Sequence, residues 1–441
     1  MKEVIAMKVS QYNIYIPADG AYVVYNTLTG ALFKTNKEGI GAIQEVRKEK
    51  FNQETIQDLK KNGIWVDDTV DERKTFQVFH EHYKYSGNRA YICSYVTFKC
   101  DLACEYCYLE YFNFPGSKPV LSMSNETAWR VVDFAKNVIH DNHCNELVTV
   151  FTGGEPSLNF SAVSTIITRL DDWARKQGVN YQSIIFSNGT SLTEDMIKEL
   201  SRYNVFFQIT LVGAAPIHNK KRPYKSGRGS YNTIIKTLEL LKDYKANFGI
   251  RVDVDKENFD SIEEMLKDLT EKIGRGLYIK FFPIIPEPKM SPSQTKLCFE
   301  LNELGRLSML WDLARKMGFK VVLAPLMKYV YCDYHTNRGY IIDPDGDVYK
   351  CGVAVGVKER RIGNLDSSGR LMMCSHQYYD WMSRSPLLIE KCRNCEFLPA
   401  CGGGCAGVAH NIHSTYHMSD CRERYLTPER IKFYLRERNK K

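Results

Sequence analysis

Between residues 91 and 317 the chain alternates between short apolar runs and longer amphipathic segments. Continuous apolar runs rich in β-branched and aromatic residues are typical of strands that are buried on both faces. Six strands are predicted, at 91–98, 147–151, 181–187, 205–212, 248–254 and 277–285. Segments with helical periodicity follow them, at 124–140, 161–177, 193–203, 230–244, 261–273 and 293–317. Strict alternation of strand and helix favours a parallel sheet with outer helices, so the predicted fold class is α/β.

A different pattern precedes this region. Alternating apolar and polar positions predict short strands there, and two amphipathic stretches predict short helices. In order, the predicted elements are strands at 12–16, 21–25 and 31–34, helices at 37–47 and 53–61, and a strand at 64–66. The acidic stretch at 67–72 is predicted to be an exit linker. Residues 1–88 are therefore predicted to form a small α+β, winged-helix-like module.

After about residue 331 the helical pattern fades, and Gly, Pro, Asp and Cys dominate. Residues 343–347 predict a tight turn between two β-like segments. Such a region has little apolar core, so bound metal would have to supply the missing stability. The predicted domains are the α+β module at 1–88, the β/α core at 89–290, a bridging helical region at 291–330 and a loop-rich domain at 331–441.

Composition and charge do not point to a membrane or to a nucleic acid. No stretch approaches the roughly 20 apolar residues of a membrane span, and residues 1–16 lack the apolar core of a signal peptide. The net charge of +8 is mild for 441 residues, and no long Lys/Arg run occurs before 436–441. We therefore expect a cytoplasmic protein with no membrane and no nucleic acid among its partners.

Fourteen cysteines are unusual for such a chain. The cytoplasm keeps thiols reduced, so grouped cysteines there indicate metal ligands, iron–sulfur ligands or catalytic thiols. One group follows the first predicted strand with the spacing C-x3-C-x2-C, at Cys100, Cys104 and Cys107. Three thiolates so close in sequence can bind three irons of a [4Fe–4S] cluster and leave the fourth iron open to a small molecule. A zinc knuckle is the alternative, although structural zinc sites usually use four protein ligands.

This motif, with Tyr106 before its last cysteine and a β/α run behind it, resembles the radical S-adenosylmethionine (SAM) superfamily. The resemblance implies a partial TIM barrel, (β/α)6. It also implies that Cys100, Cys104 and Cys107 hold a [4Fe–4S] cluster whose open iron binds the amino and carboxylate groups of SAM. Tyr106 would lie close to the adenine.

Motifs after later strands extend the resemblance. The run Gly153, Gly154, Glu155 and Pro156 follows the second strand and resembles the family's GGEP loop, which meets the SAM amino group. Glycines let the backbone approach a ligand, and a carboxylate can accept from an ammonium group. Ser187 and Asn188 follow the third strand and resemble the ribose-contacting motif. Arg251, on the fifth strand, lies where relatives offer a cation to the SAM carboxylate.

One position departs from the family. Relatives often carry Leu-Asp-Gly after the fourth strand, where this chain has Val212 in place of the Asp. Any role that relatives assign to that carboxylate is therefore in doubt here. The continuation still resembles the family, at His218, Asn219, Arg222, Gly229 and Ser230.

The second cysteine group resembles the SPASM domain, the C-terminal extension of radical SAM enzymes that modify peptides and proteins. By resemblance, one auxiliary [4Fe–4S] cluster is held by Cys392, Cys395, Cys401 and Cys421. A second is held by Cys332, Cys351 and Cys405, and its fourth ligand is Cys298, Cys374 or an open site. The cofactors implied are thus SAM and three [4Fe–4S] clusters. A pair of zinc sites is the alternative.

The N-terminal module resembles the leader-recognition element of enzymes that mature ribosomally made peptides, where a leader adds a strand to an exposed sheet edge. The combined resemblance implies reductive cleavage of SAM to a 5′-deoxyadenosyl radical, which abstracts a hydrogen from a precursor peptide. An intramolecular crosslink would follow, with a thioether expected first and a carbon–carbon bond second. The expected partners are a precursor peptide with a leader and a flavodoxin- or ferredoxin-type electron donor.

Two alternatives stay open. The first is a radical SAM maturase of a folded protein, such as a sulfatase or a quinone-cofactor precursor. Sulfatase-maturing relatives start close to the cluster motif and place an acid directly after the second SPASM cysteine, where this chain has Gly352. Both departures count against sulfatase maturation. The second alternative is a non-catalytic zinc-binding module.

Overall fold

The N-terminal part of the chain folds into two small sheets and three helices. The structure, a computed structural model, describes residues 6–18, 20–107, 109, 121–286, 290, 292–324 and 326–438. Its first elements are β1 (Met7–Val9), β2 (Asn13–Ala18), β3 (Ala21–Asn26), β4 (Leu32–Thr35), α1 (Lys37–Gln44), α2 (Gln53–Lys61), β5 (Trp65–Asp67) and α3 (Glu72–Tyr85). β1 pairs antiparallel with β5, and β2, β3 and β4 form an antiparallel meander. Asn36 and Asn52 cap α1 and α2, because each side chain accepts a hydrogen bond from a first-turn N–H.

The six predicted β/α units are confirmed in the middle of the chain. Their strands are β6 (Arg89–Thr97), β7 (Glu146–Gly153), β8 (Asn180–Ser187), β9 (Val205–Leu211), β10 (Asn247–Val254) and β11 (Tyr278–Pro283). The helices are α4 (Asn125–Asp141), α5 (Phe160–Gln177), α6 (Glu194–Leu200), α7 (Ala215–Lys221), α8 (Tyr231–Asp243), α9 (Ile262–Lys272), α10 (Pro292–Leu297) and α11 (Leu307–Lys316). A two-residue strand, β12 (Lys320–Val321), follows α11 and pairs with β11.

The C-terminal region contributes short strands and then short helices. They are β13 (Gly339–Ile342), β14 (Asp347–Tyr349), β15 (Gly363–Leu365), β16 (Leu371–Met373), α12 (Gln377–Ser383), α13 (Glu390–Arg393), α14 (Leu398–Cys401), α15 (Ala406–His413) and α16 (Glu423–Arg438). None of the described helices is both long enough and apolar enough to cross a lipid bilayer.

One large sheet joins the β/α core to the C-terminal strands. Its order is β12-β11-β10-β9-β8-β7-β6-β13-β14-β15-β16. Each neighbouring pair from β12 through β6 to β13 is parallel, and the pairs β13-β14, β14-β15 and β15-β16 are antiparallel. β13 pairs with β6 although about 240 residues separate them, with Gly339 opposite Tyr91 and Ile342 opposite Ser94. The C-terminal strands therefore complete the edge that the first core strand would otherwise expose.

The inner face of the core sheet carries its own apolar cluster. Side chains that alternate along β6 and β7 pack together there with residues from the C-terminal strands and the segment after them. The buried members are Cys93, Tyr95, Val148, Val150, Ile341, Tyr349, Ala354 and Val355. The segment that follows Cys351 thus lies against the inner face of β6, where the Tyr95 hydroxyl donates a 3.4 Å hydrogen bond to the Gly352 carbonyl.

Contacts divide the chain into two compact units. Residues 86–323 and 333–382 form one, called here the barrel unit. Residues 1–85, 324–332 and 383–441 form the other, called here the N/C unit because it combines the two ends of the chain. The four domains predicted from the sequence, with their three boundaries, stay predictions.

The N/C unit has an apolar core that its N-terminal and C-terminal segments share. Tyr12, Leu28 and Phe76 pack with Ile389, Cys392 and Leu398, and Tyr329 completes the cluster. A neighbouring cluster combines residues of β2 and β3 with the C-terminal segment, at Ile14, Ile16, Val23, Tyr25, Phe397 and Ile431. The N-terminal module is therefore part of the support of the C-terminal cysteines.

The sequence did not predict α3 or α16. The inward positions of α3 include Phe76, His80 and Lys84, of which two are polar, so the apolar periodicity is weak. In α16 the buried residues include Glu423 and Arg430, which form a buried ion pair. Tertiary partners inside the N/C unit, rather than an apolar stripe, explain why these segments are helical.

Truncating Phe76 tests the shared core. We expect Phe76→Ala to lower the free energy of unfolding of the N/C unit by about 3–5 kcal/mol, because a fully buried ring leaves a cavity. Val78→Ala on the same helix is the matched control, because Val78 is 65% exposed and should change little. Denaturant midpoints of the two variants give the measurement, and equal midpoints would contradict the shared core.

Candidate active site

The three grouped cysteines lie on the loop after β6, at the carboxyl end of the core sheet. Cys100, Cys104 and Cys107 are half-buried, and each is a free thiol. In parallel sheets the loops at the carboxyl ends of neighbouring strands converge and carry the chemistry. The residues from 100 to 107, called here the cysteine loop, contain no helix and no named strand. Their position therefore depends on contacts with other loops.

Segment 221–225, which begins at the last residue of α7, forms one side of this support. Leu102 and Tyr224 make an isolated antiparallel bridge. The backbone hydrogen bonds run from Ala103 N–H to Pro223 O (2.9 Å), from Glu105 N–H to Lys221 O (3.1 Å) and from Lys225 N–H to Asp101 O (3.0 Å). The cysteine loop is thus paired along its length with this segment.

Lys221 anchors the same contact through its side chain, which is fully buried. Its ammonium group pairs with three carboxylates, of Glu105 (2.6 Å), Asp255 (2.8 Å) and Glu257 (2.6 Å). Burial alone would lower the pKa of Lys221, but hydrogen bonds to these carboxylates raise it above its ordinary value. Lys221 therefore stays charged, and its ion pairs connect the cysteine loop to the loop after β10.

The family-like residues around α7 fix segment 221–225 in turn. The Val212 N–H donates to Nδ1 of His218 (3.4 Å), so the ring proton lies on Nε2 and faces Ser230 Oγ (3.1 Å). Ser230 Oγ donates to the Arg222 carbonyl (2.6 Å). Burial, followed by the charge of Arg222, lowers the pKa of His218 well below its usual range. Val212 is fully buried and contributes only its backbone to this network.

Arg222 reaches Tyr106, the aromatic residue of the cysteine motif. The Arg222 guanidinium donates a 3.0 Å hydrogen bond to the Tyr106 hydroxyl. Burial raises the pKa of Tyr106, so the phenol stays protonated. Nε of Arg222 is buried and has no hydrogen-bond partner among the described residues.

Two glycines at the end of β7 touch the end of β6 and the residue just before the cysteine loop. Gly153 has φ +123°, and a Cβ there would lie 2.3 Å from the Thr97 carbonyl oxygen. A Cβ on Gly154 would lie 2.1 Å from the Lys99 carbonyl oxygen. The N–H groups of Gly154 and Glu155 donate to Thr97 and Lys99, each at 2.8 Å. Only glycine permits this close approach of two backbones.

Glu155 connects the loops after β7 and β8 and is fully buried. One carboxylate oxygen accepts from the Ser157 N–H (3.1 Å), the Ser157 hydroxyl (2.7 Å) and the Ser187 hydroxyl (2.9 Å). The other accepts from the Asn188 N–H at 2.7 Å. Burial raises the pKa of Glu155, and these hydrogen bonds oppose the shift. Its predicted role toward an ammonium group of SAM stays a prediction.

Asp101 makes the corresponding connection from the cysteine loop to the loop after β8. Its carboxylate accepts from Asn188 Nδ2 (2.9 Å), Thr190 Oγ1 (2.5 Å) and Ser191 Oγ (2.9 Å). The Asn188 amide also donates to Cys100 Sγ at 3.6 Å. Asp101 and Lys221 were not predicted from the sequence as site residues. Each stands directly beside a motif residue, but neither position reveals which distant loop its side chain reaches.

Arg251 lies on the inner face of β10 with partners of its own. Its Nε pairs with the Asp253 carboxylate at 2.8 Å, and its guanidinium lies 4.1 Å from the ring centre of Phe282. Ring stacking and one carboxylate orient the cation. Its predicted contact with the SAM carboxylate stays a prediction, as do the predicted contacts of Tyr106 and Pro156.

The cysteines predicted as ligands or candidate ligands of the auxiliary clusters are divided between the two units. Cys332, Cys392, Cys395, Cys401, Cys405 and Cys421 lie in the N/C unit, and Cys298, Cys351 and Cys374 lie in the barrel unit. All fourteen cysteines are described and are free thiols. Among the described residues no three His, Cys, Asp or Glu side chains converge as ligands of one metal ion would. The auxiliary-cluster assignments stay predictions.

The residues present fit an iron–sulfur cluster and a polar ligand beside it. The donor set is three soft thiols on one fixed loop, which suits a cluster. Burial raises the pKa of the Cys100 thiol to about 12, so iron rather than water would have to stabilise its thiolate. The Nε–H of Arg222, next to Tyr106, has no hydrogen-bond partner among the described residues. It is therefore a donor that a polar ligand could accept from.

The chain is similar in sequence to known proteins. Residues 94–269 match the sequence profile of the Radical SAM superfamily. Among curated proteins, the chain is 24% identical over 325 residues to the cysteine-type anaerobic sulfatase-maturating enzyme of Clostridium novyi (strain NT), which covers 69% of this chain and 84% of that protein.

Two solved structures share the fold. The structure of native anSMEcpe with bound AdoMet gives a TM-score of 0.62 at 18% identity, over 80% of this chain and 98% of that one. The structure of Streptococcus suis SuiB bound to precursor peptide SuiA gives a TM-score of 0.55 at 14% identity, over 95% of this chain and 99% of that one. At these identities the likeness establishes the fold alone.

Replacing Lys221 tests the support of the cysteine loop. We expect Lys221→Met to cost about 3–5 kcal/mol of stability, because it leaves the buried carboxylate of Asp255 without its cation. SAM binding by the reconstituted protein should fall as well. Unfolding midpoints and SAM titrations give the measurement.

Lys220→Met is the matched control. The Lys220 side chain is 60% exposed and pairs with Glu257 at the surface, so its loss should change little. If both variants behave alike, Lys221 does not hold the cysteine loop.

Proposed function

Because the chain contains a radical SAM domain and has the fold of SPASM-type radical SAM enzymes, we propose that it is a maturase of a ribosomally made precursor peptide. The observation that carries the proposal is the cysteine loop, whose three free thiols are fixed by three other strand-end loops. When bound, a [4Fe–4S] cluster and SAM supply reductive cleavage of SAM and removal of hydrogen from an unactivated carbon.

The protein's own residues would orient these groups and exclude water. Cys100, Cys104 and Cys107 hold the SAM-binding cluster in this proposal. The SAM contacts are assigned to Tyr106, Gly153, Gly154, Glu155, Pro156, Ser187, Asn188 and Arg251. Asp101, Glu155 and Lys221 act as positioning residues, because their charges join the loops that carry these contacts.

Two auxiliary [4Fe–4S] clusters complete the proposed cofactor set. One is assigned to Cys392, Cys395, Cys401 and Cys421, and the other to Cys332, Cys351 and Cys405. They would receive the electron that the substrate loses as its new bond forms. A thioether is the first product we propose and a carbon–carbon crosslink the second, with a flavodoxin- or ferredoxin-type protein as electron donor.

The N-terminal module supports a peptide substrate. Its meander ends in β4, whose exposed face includes Leu32 and Lys34 and which pairs only with β3 among the described residues. The opposite edge strand, β2, contains Pro17, which has no N–H to offer a further strand. β4 is therefore the better edge for an added leader strand. The SuiB structure that contains a precursor peptide matches 95% of this chain.

A folded protein is the second candidate substrate. It is favoured by the similarity to a sulfatase-maturating enzyme over 69% of the chain. Against it stands Gly352, which follows Cys351 where such relatives carry an acid and whose carbonyl accepts from Tyr95. The radical SAM profile argues against the non-catalytic zinc-binding module.

Removing the three loop thiols tests the enzyme assignment. We expect Cys100→Ala, Cys104→Ala and Cys107→Ala together to abolish 5′-deoxyadenosine formation, because no ligand would remain for the SAM-binding cluster. Iron bound by the other cysteines should persist. Anaerobic reconstitution, iron counting and chromatography of the nucleoside give the measurement, and continued 5′-deoxyadenosine formation would refute the assignment.

A proline in β4 tests leader recognition. Asn26 N–H donates to the Ala31 carbonyl (2.9 Å), and hydrogen-bonded pairs alternate in an antiparallel ladder, so the Lys34 N–H faces the outer edge. We expect Lys34→Pro to raise the Kd for the precursor peptide at least about tenfold, the equivalent of one or two hydrogen bonds. SAM cleavage without peptide should not change.

Lys34→Ala is the control, because it removes the charge and keeps the N–H. It should bind the peptide like the unmodified protein. If Lys34→Pro processes a leader-bearing peptide as well as Lys34→Ala does, the leader model fails and the folded-protein candidate is favoured.

A further inference from the structure

Arg384, the residue after α12, is a fully buried cation in the N/C unit. Its Nε donates to the Tyr416 carbonyl (2.6 Å), and its Nη2 donates to the carbonyls of Gly403 (2.7 Å) and Met418 (3.1 Å). Nη1 is buried and has no hydrogen-bond partner among the described residues. Three carbonyls thus fix the guanidinium, but none of them neutralises it.

The surrounding chain brings this cation to the C-terminal cysteines. Gly403 lies between Cys401 and Cys405, and a Cβ on it would come within 3.2 Å of Nη1. Burial lowers the pKa of Arg384, and the groups that oppose this shift, in their thiolate form, are Cys392, Cys401, Cys405 and Cys332, in that order. None of these four is a carboxylate.

A second buried cation lies beside the first. Lys84 of α3 is 3% exposed, and its ammonium donates to the Arg384 carbonyl at 3.1 Å. Burial, followed by the charge of Arg384, lowers the pKa of Lys84 to about 8. The N-terminal module therefore adds positive charge next to the C-terminal cysteines.

Burying a guanidinium without an anion is costly, so this arrangement calls for negative charge nearby. The thiolates of an iron–sulfur cluster provide it. Each electron that the cluster takes up makes it more negative, so a fixed cation favours the reduced state. Net charge and hydrogen bonding around a cluster set its reduction potential.

We propose that Arg384, reinforced by Lys84, is the fixed counter-cation of the auxiliary cluster on Cys392, Cys395, Cys401 and Cys421, and that it raises the cluster's reduction potential. The inference rests on the proposed function, in which this cluster is an electron acceptor. When a substrate carbon radical forms a bond to a thiol sulfur, the S–H bond breaks, the proton leaves to a base and one electron passes to the cluster. Raising the potential favours that transfer.

The experiment is an EPR-monitored redox titration of the auxiliary clusters. It uses the full chain with Cys100, Cys104 and Cys107 replaced by Ala, so that the SAM-binding cluster adds no signal. Arg384→Gln removes the charge, and Arg384→Lys keeps it. Arg393→Gln is the matched control, because Arg393 follows Cys392 directly but is exposed.

We expect Arg384→Gln to lower the ratio of reduced to oxidised cluster at least about tenfold at a fixed solution potential, which is about 59 mV for a one-electron couple. Arg384→Lys and Arg393→Gln should each stay within about threefold of the parent, because the buried charge is retained. An unchanged potential in Arg384→Gln overturns the inference. An equal shift in Arg384→Lys also overturns it, because the effect would then come from lost hydrogen bonds.

If Arg384→Gln fails to retain auxiliary iron, Lys84→Gln takes its place. That variant removes the second cation and leaves the carbonyl contacts of Arg384, and it should shift the potential in the same direction by a smaller amount. No shift there overturns the inference. A parent protein that binds no auxiliary iron would instead refute the proposed cofactor set, which is a separate outcome.

Discussion

A fully buried lysine fixes the part of the molecule on which the chemistry depends. The cysteine loop has no secondary structure of its own, so it would sample many conformations without external contacts. Lys221 pairs with a carboxylate of that loop and with two carboxylates of the loop after β10. Because the pair with Asp255 is buried on both sides, it is stronger than a surface ion pair and costly to break.

The same principle recurs around the site. Glu155 and Asp101 are carboxylates that accept several hydrogen bonds from neighbouring loops, and two glycines let the backbones meet. Each connection joins the ends of adjacent parallel strands, where the fold brings loops together. The site is therefore built from cross-loop contacts, and its precision comes from the rigid sheet beneath it.

The N/C unit packs together two segments that the sequence separates by some 300 residues. The N-terminal strands share an apolar core with the segment that carries Cys392 and Cys395. α3 adds Lys84 beside Arg384, whose guanidinium lies against Gly403, between Cys401 and Cys405. Because of this shared core, deleting the N-terminal module would expose the support of the auxiliary cysteines. Point changes on β4 are therefore the cleaner way to examine peptide recognition.

The sequence by itself determined the six β/α units, the position of each motif at a strand end and the two groups of cysteines. Those features depend on local periodicity and on spacing, which a single chain displays directly. Only the tertiary structure decided that β13 completes the sheet beside β6, that Lys221 reaches Asp255 and that Arg384 is buried against Gly403, between Cys401 and Cys405. These are contacts between residues far apart in the chain. The sequence position of a lysine or arginine does not reveal which distant residue its side chain will contact. A helix such as α3 was missed for the same reason, because its inward His80 and Lys84 gain their partners only when both ends of the chain have folded together.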